Sequence, residues 1–275
     1  TTGIIGVHLW GRPCDVEGLA EIAHHHKLKL LFDAAHAFGC SYQGQMIGHF
    51  GDAEVFSFHA TKFINSFEGG AVVTNDDELA AKMRLMKNFG FTYYDTVDYI
   101  GTNGKMTEIC AAMGLTSLES MDDIVAINYV NYKQYREELA DVPGLRLLPY
   151  DEDEKSNYQY VVLEVDEAAT LVTRDEFIEM LFAENVLARR YFYPGCHRME
   201  PYRSYFPNAG MLLCETERLA EMVLSLPTGT AIGRREIAGI CGILRLIVSN
   251  REKVKQRLVS RGNKGREKGR MRTVA

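Results

Sequence analysis

Four short, almost unbroken apolar runs crowd the first 80 residues: GIIGVHLW (3–10), LKLLFDAA (28–35), AEVFSFHA (53–60) and GAVVTN (70–75). A helical stretch, VEGLAEIAHHH (16–26), separates the first two. Strands that stay apolar along their whole length read as buried on both faces, which is what a parallel sheet covered by helices produces. The expectation is an α/β fold with β-α-β connections. Helices follow, DDELAAKMRLMKNFG (76–90) and a long segment from Glu108 to Ala140, before a Pro143-Gly144 turn.

From Leu145 the grammar changes. LRLLPY, YQYVVLEV and LARRYFY read as strands, RDEFIEMLFAENV as a helix, ETERLAEMVLSLP as a helix leading into a strand, and REIAGICGILRLIVSN as a closing amphipathic helix. We therefore expect a large α/β domain at 1–142, a smaller α+β domain at 143–259 and a basic tail at 260–275.

With 46% hydrophobic residues against 25% charged, the chain can bury a core, and no apolar stretch approaches the ~20 residues that span a bilayer. The opening residues carry no basic segment ahead of an apolar one, so a cytoplasmic location is expected. The six cysteines are scattered and form no metal-type or redox pairs, and read as reduced, mostly buried thiols. The net charge is −6 although the last fifteen residues hold six Lys or Arg against one Glu. An acidic body argues against nucleic acid as a partner, and the Gly-rich basic end reads as disordered.

Three residues carry chemistry when taken together. Asp33 ends an apolar strand and so reaches the carboxyl edge of the sheet, where open α/β folds bind ligands, although alone it also suits a helix N-cap. Lys62 sits among Phe56, Phe58, Phe63 and Phe67, where partial desolvation lowers an amine's pKa and prepares it for Schiff-base chemistry. Ser57 offers a hydroxyl to a phosphate. Pyridoxal phosphate asks for an acid at its ring nitrogen, an amine for its aldehyde and donors for its phosphate. Elsewhere, His24, His25 and His26 cannot converge on one metal ion from adjacent helical positions and read as a solvated helix end. Cys196 and His197 are too close in sequence to form a nucleophile–base pair. Met83 and Met86 read as core.

The segments LLFDAAHAFG (30–39) and GDAEVFSFHATKFINSFEGGAVVTND (51–76) resemble the aspartate and lysine segments of the DegT/DnrJ/EryC1/StrS aminotransferases. The likeness continues through LMKNFGF, GTNGKMTEICAAMGLTSLE, RRYFYPGCHRMEPYRSYFP and LSLPTGTAIGRREI. It implies a fold type I enzyme dependent on pyridoxal 5'-phosphate. Such an enzyme moves an amino group, usually from glutamate, onto a nucleotide-linked keto sugar such as dTDP-4-keto-6-deoxyglucose. Lys62 would then be the residue that holds the cofactor and carries protons. Asp33 would face the ring nitrogen, His36 the phenolic oxygen where many members have Gln, and Ser57 the phosphate. Asn103 would reach the cofactor of a neighbouring subunit in a homodimer, and Arg190, Tyr191 and His197 would contact the sugar nucleotide.

Family members carry further residues ahead of the strand that opens this sequence, including a small-residue phosphate turn and a ring stacked on the pyridine. The resemblance thus implies a large domain incomplete at its N-terminal side. Two alternatives stand beside the aminotransferase. One is a non-catalytic remnant of the same fold. The other is a sugar dehydratase relative, in which His replaces the lysine and against which Lys62 argues.

Overall fold

A computed structural model describes residues 1–260, and the basic tail expected at 260–275 lies almost wholly outside them. The chain divides into two compact units, Thr1–Tyr129 with Tyr150–Gln159, and Val130–Pro149 with the residues from Tyr160 onward.

The first unit is built on four strands, β1 (Gly3–Val7), β2 (Lys29–Asp33), β3 (Ala53–Ser57) and β4 (Gly70–Val73), hydrogen-bonded in that order. The β1–β2 and β2–β3 pairs are parallel, the first across a helix as β-α-β grammar requires and the second across residues 34–52, which form turns and a hairpin. The β3–β4 pair is antiparallel. Helix α1 (Val16–His26) begins where Asp15 accepts the Gly18 N–H at 3.0 Å and ends at Lys27, whose φ of 53° is left-handed. His24, His25 and His26 occupy its last turn and are exposed, beside the negative end of the helix dipole.

Side chains alternate across each strand, so Leu30, Phe32 and Phe56 share one face. There they join Val16 and Ala23 of α1, and Ala34, Ala37, Cys40 and Ile47 of the segment after β2, in buried apolar clusters. The opposite face departs from the expectation of burial on both sides. Ile5 is 68% exposed, and Val7, Leu31, Val55 and Val72 are also open, because α1 and the 34–47 segment both pack on the other face. Asp33 and Ser57 point to this open face.

Helices α2 (Asp77–Met86), α3 (Glu108–Glu119) and α4 (Met121–Leu139) follow. The long helical segment expected from Glu108 is therefore two helices, interrupted at Ser120. Helix α2 buries no residue, so Met86 is exposed and is not core. Two short hairpins, Ser41–Met46 and Phe91–Val97, went unanticipated because strands of two or three residues leave no periodicity to read.

In the second unit, strands β5 (Leu145–Leu147), β6 (Val161–Val165) and β7 (Val223–Leu226) form an antiparallel sheet in the order β7-β6-β5. Helices α5 (Arg174–Ala183), α6 (Cys214–Met222) and α7 (Arg234–Ser249) belong to the same unit. Its core gathers Val161, Leu163, Phe177, Leu181, Leu224, Ile237 and Leu244 with Tyr135 of α4. LARRYFY is not a strand: it touches β7 only through an Arg189–Ser225 bridge, and Pro194 beyond it has no N–H to extend a ladder.

The division differs from the expected 1–142 and 143–259. Helix α4 is continuous across Tyr129 and Val130, so the Pro143-Gly144 turn ends a helix without ending a unit. Residues 150–159 belong to the first unit despite their place in the chain. Of the cysteines, all free, only Cys40 and Cys241 are buried, fewer than expected. No helix among the described residues is long and apolar enough to cross a membrane.

Candidate functional site

Asp33 closes β2, and its Oδ1 accepts the Ala35 N–H at 3.0 Å. No helix follows, so the N-cap alternative fails: the residues after it form tight turns. On the first of these turns lies His36, 9% exposed, whose Nδ1 accepts the Trp10 N–H at 3.1 Å. Burial, and then the positive charge of Lys62, push the imidazole pKa down to about 4, while Asp33 opposes them.

Lys62 stands on the loop that joins β3 to β4. The loop closes on itself through Phe58 and Gly69, and through Ser66 N–H donating to the Phe58 carbonyl at 2.9 Å. Ser117 of α3 donates to the Asn65 carbonyl at 2.8 Å and ties down its far side. The Lys62 side chain is half-buried, and burial lowers its pKa, with Asp33 pulling the other way. His36 thus feels the charges of Lys62 and Asp33, and Lys62 that of Asp33. Ser57 ends β3, and its hydroxyl accepts the His59 N–H at 3.4 Å. Phe38, packed edge-on against Phe56 and Phe58 at 5.4 Å each, supplies the apolar floor of the loop.

Asn103 is exposed and bridges Asn88, and among the described residues no hydrogen bond or ion pair links it to Lys62. Arg190, Tyr191 and His197 belong to the second unit. Arg190 Nη1 lies 3.4 Å from Asp175 Oδ1, and the guanidinium packs on the Tyr193 ring at 5.0 Å. Tyr191 lies 6.0 Å from Tyr160 ring to ring. His197 Nε2 lies 2.7 Å from Glu217 Oε1, and Arg198 grips the same carboxylate, holding its pKa down at about 2. His197, Arg198 and Glu217 border an open cavity of about 570 Å³ with Tyr193 and Arg203 on its wall, while Arg190 and Tyr191 do not line it.

The family description "DegT/DnrJ/EryC1/StrS aminotransferase family" matches residues 1–245. The chain belongs to this family. A dTDP-4-amino-4,6-dideoxy-D-glucose transaminase from Shigella dysenteriae is 38% identical over 230 residues, covering 82% of this chain and 61% of that protein. A GDP-perosamine synthase from Caulobacter vibrioides is 34% identical over 254 residues, covering 89% of this chain and 65% of that protein. Among solved structures, DesI in the presence of its TDP-sugar product superposes with a TM-score of 0.87 at 51% identity, covering 96% of this chain and 65% of that one. This DegT/DnrJ/EryC1/StrS chain therefore spans less than two thirds of the length of these relatives. Its fold is the α/β, mainly parallel fold type I arrangement that the sequence led us to expect.

Three residues of this family member escaped sequence reasoning. Trp10 acts through its backbone, and Asn157 and Gln159 come from a stretch without regular structure, so no periodicity or motif marks them.

Proposed function

We propose that the chain carries the chemistry of a pyridoxal phosphate-dependent aminotransferase acting on a nucleotide-linked keto deoxysugar, with glutamate as amino donor. The observation that carries this reading is Lys62: an amine half-buried on a braced loop, its pKa lowered by burial, within the field of Asp33 and close enough to His36 to lower that ring's pKa. A dehydratase relative would lack this lysine.

The donor set fits the cofactor. Asp33 and Ser57 share the open face of the sheet, which suits one for the ring nitrogen and the other for the phosphate, and Lys62 provides the amine. His36, kept neutral, suits an oxygen that must be hydrogen-bonded without being handed a full charge. When bound, pyridoxal phosphate supplies an aldehyde that condenses with amines and a conjugated ring that accommodates negative charge at the donor's α-carbon.

The chain's own groups do the rest. Lys62 Nζ holds the cofactor at rest and, once released, accepts a proton from the donor's α-carbon and returns it on the other side. Its lowered pKa keeps a larger share of the amine neutral for both tasks. The Asp33 carboxylate holds a proton on the ring nitrogen by charge. Arg190, Tyr191 and His197 are assigned to the sugar nucleotide, and Asn103 to the partner site of a homodimer.

The test is borohydride reduction of the chain after incubation with pyridoxal phosphate, followed by peptide mapping. Label at Lys62 supports the reading. Label confined to other lysines, or none, overturns it.

A further inference from the structure

We infer that Asn157 and Gln159 are positioning residues that set the backbone beneath Lys62 and His36 in one fixed relation. The inference rests on the aminotransferase reading for its kinetic consequence and on hydrogen bonds alone for its structural one.

A peptide unit is rigid and planar, so pinning both of its polar ends fixes the direction in which the next Cα delivers its side chain. The unit joining Thr61 to Lys62 is pinned in this way. Lys62 N–H donates to the His59 carbonyl at 2.9 Å, and the Thr61 carbonyl accepts from Gln159 Nε2 at 3.1 Å. The first bond is internal to the turn and moves with it. The second ties the turn to a segment 98 residues away in sequence, and so gives it an external reference.

Asn157 carries that reference to His36. Its side chain is fully buried, and Nδ2 donates to the carbonyls of His36 at 2.9 Å and Phe38 at 3.0 Å. Its Oδ1 accepts the Gln159 N–H at 3.1 Å, so both donors and the acceptor of one amide are used. Asn128 Nδ2 donates to the Asn157 carbonyl at 3.2 Å and braces the segment from behind. The links run from His36 through Asn157 and Gln159 to the peptide in front of Lys62. Gly11, at φ +73°, leaves room for the arrangement, since a Cβ there would lie 2.9 Å from Asn157 Oδ1.

A side-chain amide that donates to a carbonyl cannot be replaced by a group of the same shape that only accepts. Gln159→Glu removes the donor and sets a carboxylate against the Thr61 carbonyl, while Gln159→Met removes it without adding charge. The readout is the pH dependence of Lys62 acetylation by acetic anhydride, followed by peptide mass analysis on the full chain without cofactor. Asp33 is the charge that acts on this amine, His36 is the ring on which the amine acts, and neither is altered.

In Gln159→Met the loop relaxes and the amine gains water, so its apparent pKa rises toward the ordinary lysine range. The Lys62 amide exchanges hydrogen about tenfold faster, as expected for a turn freed to open locally. With cofactor, donor and keto sugar, kcat falls about tenfold while KM changes less than twofold, the mark of a misplaced group with binding intact. A purely structural role would lower the melting temperature and leave the acetylation profile where it was. An unchanged profile and unchanged amide exchange in folded Gln159→Met and Gln159→Glu overturn the inference. If the variants fail to fold, Gln159→Ala gives the same readout at a half-buried position. If the profile shifts but the unaltered chain transaminates nothing, the positioning role stands and the functional reading falls.

Discussion

The backbone N–H of Trp10 donates to His36 Nδ1 at 3.1 Å inside the protein, so the neutral imidazole carries its own proton on Nε2. Burial and the charge of Lys62 lower the pKa of this ring from 6.5 to about 4. Between those values the unfolded chain binds a proton that the folded chain refuses. The contribution of His36 is therefore fully present above pH 6.5 and is lost as the pH falls toward 4. From pH 7 to pH 5 the loss attributable to this one residue is about 2 kcal/mol. Urea unfolding at both pH values should show His36→Gln losing less stability than the unaltered chain by about that amount, since the other titrating groups cancel in the comparison. Equal losses would mean that His36 is protonated in the folded protein.

Asp33 offers a sharper functional test. Its carboxylate is exposed and makes one backbone bond, to Ala35, so Asp33→Asn should leave the fold intact. If the carboxylate holds a proton on the cofactor's ring nitrogen, the same change lowers turnover by ~100-fold, the scale of losing one preorganised charged partner. Steady-state kinetics with thermal melting as the control separates the two effects, and near-normal turnover would return Asp33 to a turn-forming role.

The sequence made the first unit readable because its strands are short, apolar and separated by turns, and because chemistry gathers at strand ends: Asp33 and Ser57 each close one. Lys62 was legible from its four phenylalanine neighbours in sequence. Harder to see was which strand pairs run antiparallel, since β3 and β4 are joined by a loop whose length does not reveal its path. The segment 187–193 misled for a related reason. Its aromatic and branched residues have strand propensity, but propensity does not provide a partner, and β7 engages it only at Arg189. Asn157 and Gln159 were invisible because their role lies in the carbonyls they reach, far away in the chain.

Beneath the sheet, Glu54 and His8 are both fully buried, with Glu54 Oε2 3.6 Å from His8 Nε2. Glu54 Oε1 also accepts the N–H groups of Gly48 at 3.0 Å and Phe50 at 2.6 Å. Glu54→Ala removes the acceptor for two backbone donors and opens a void, so a loss of about 3 kcal/mol or more is expected in urea unfolding. Glu54→Gln keeps one oxygen for those donors and should cost about half as much. A loss below about 1 kcal/mol for the alanine variant would show that water replaces the carboxylate without strain.

Asn103 is the candidate whose role depends most on a second copy of the chain. It is exposed, bridges Asn88 just ahead of the aromatic hairpin that leaves Tyr93 71% and Tyr94 86% exposed, and among the described residues makes no hydrogen bond to the groups around Lys62. If it serves the site of a neighbouring subunit, each active site of a homodimer draws Lys62 from one copy and Asn103 from the other. Lys62→Ala and Asn103→Asp should then each be inactive alone. Mixed and allowed to exchange subunits, they form heterodimers in which one site carries both defects and the other carries neither. Activity should therefore return to about a quarter of normal, because half of the dimers formed at random are mixed and each holds one intact site of two. Subunit exchange is verified by native mass spectrometry of tagged copies. Confirmed exchange without any return of activity would place Asn103 outside the site.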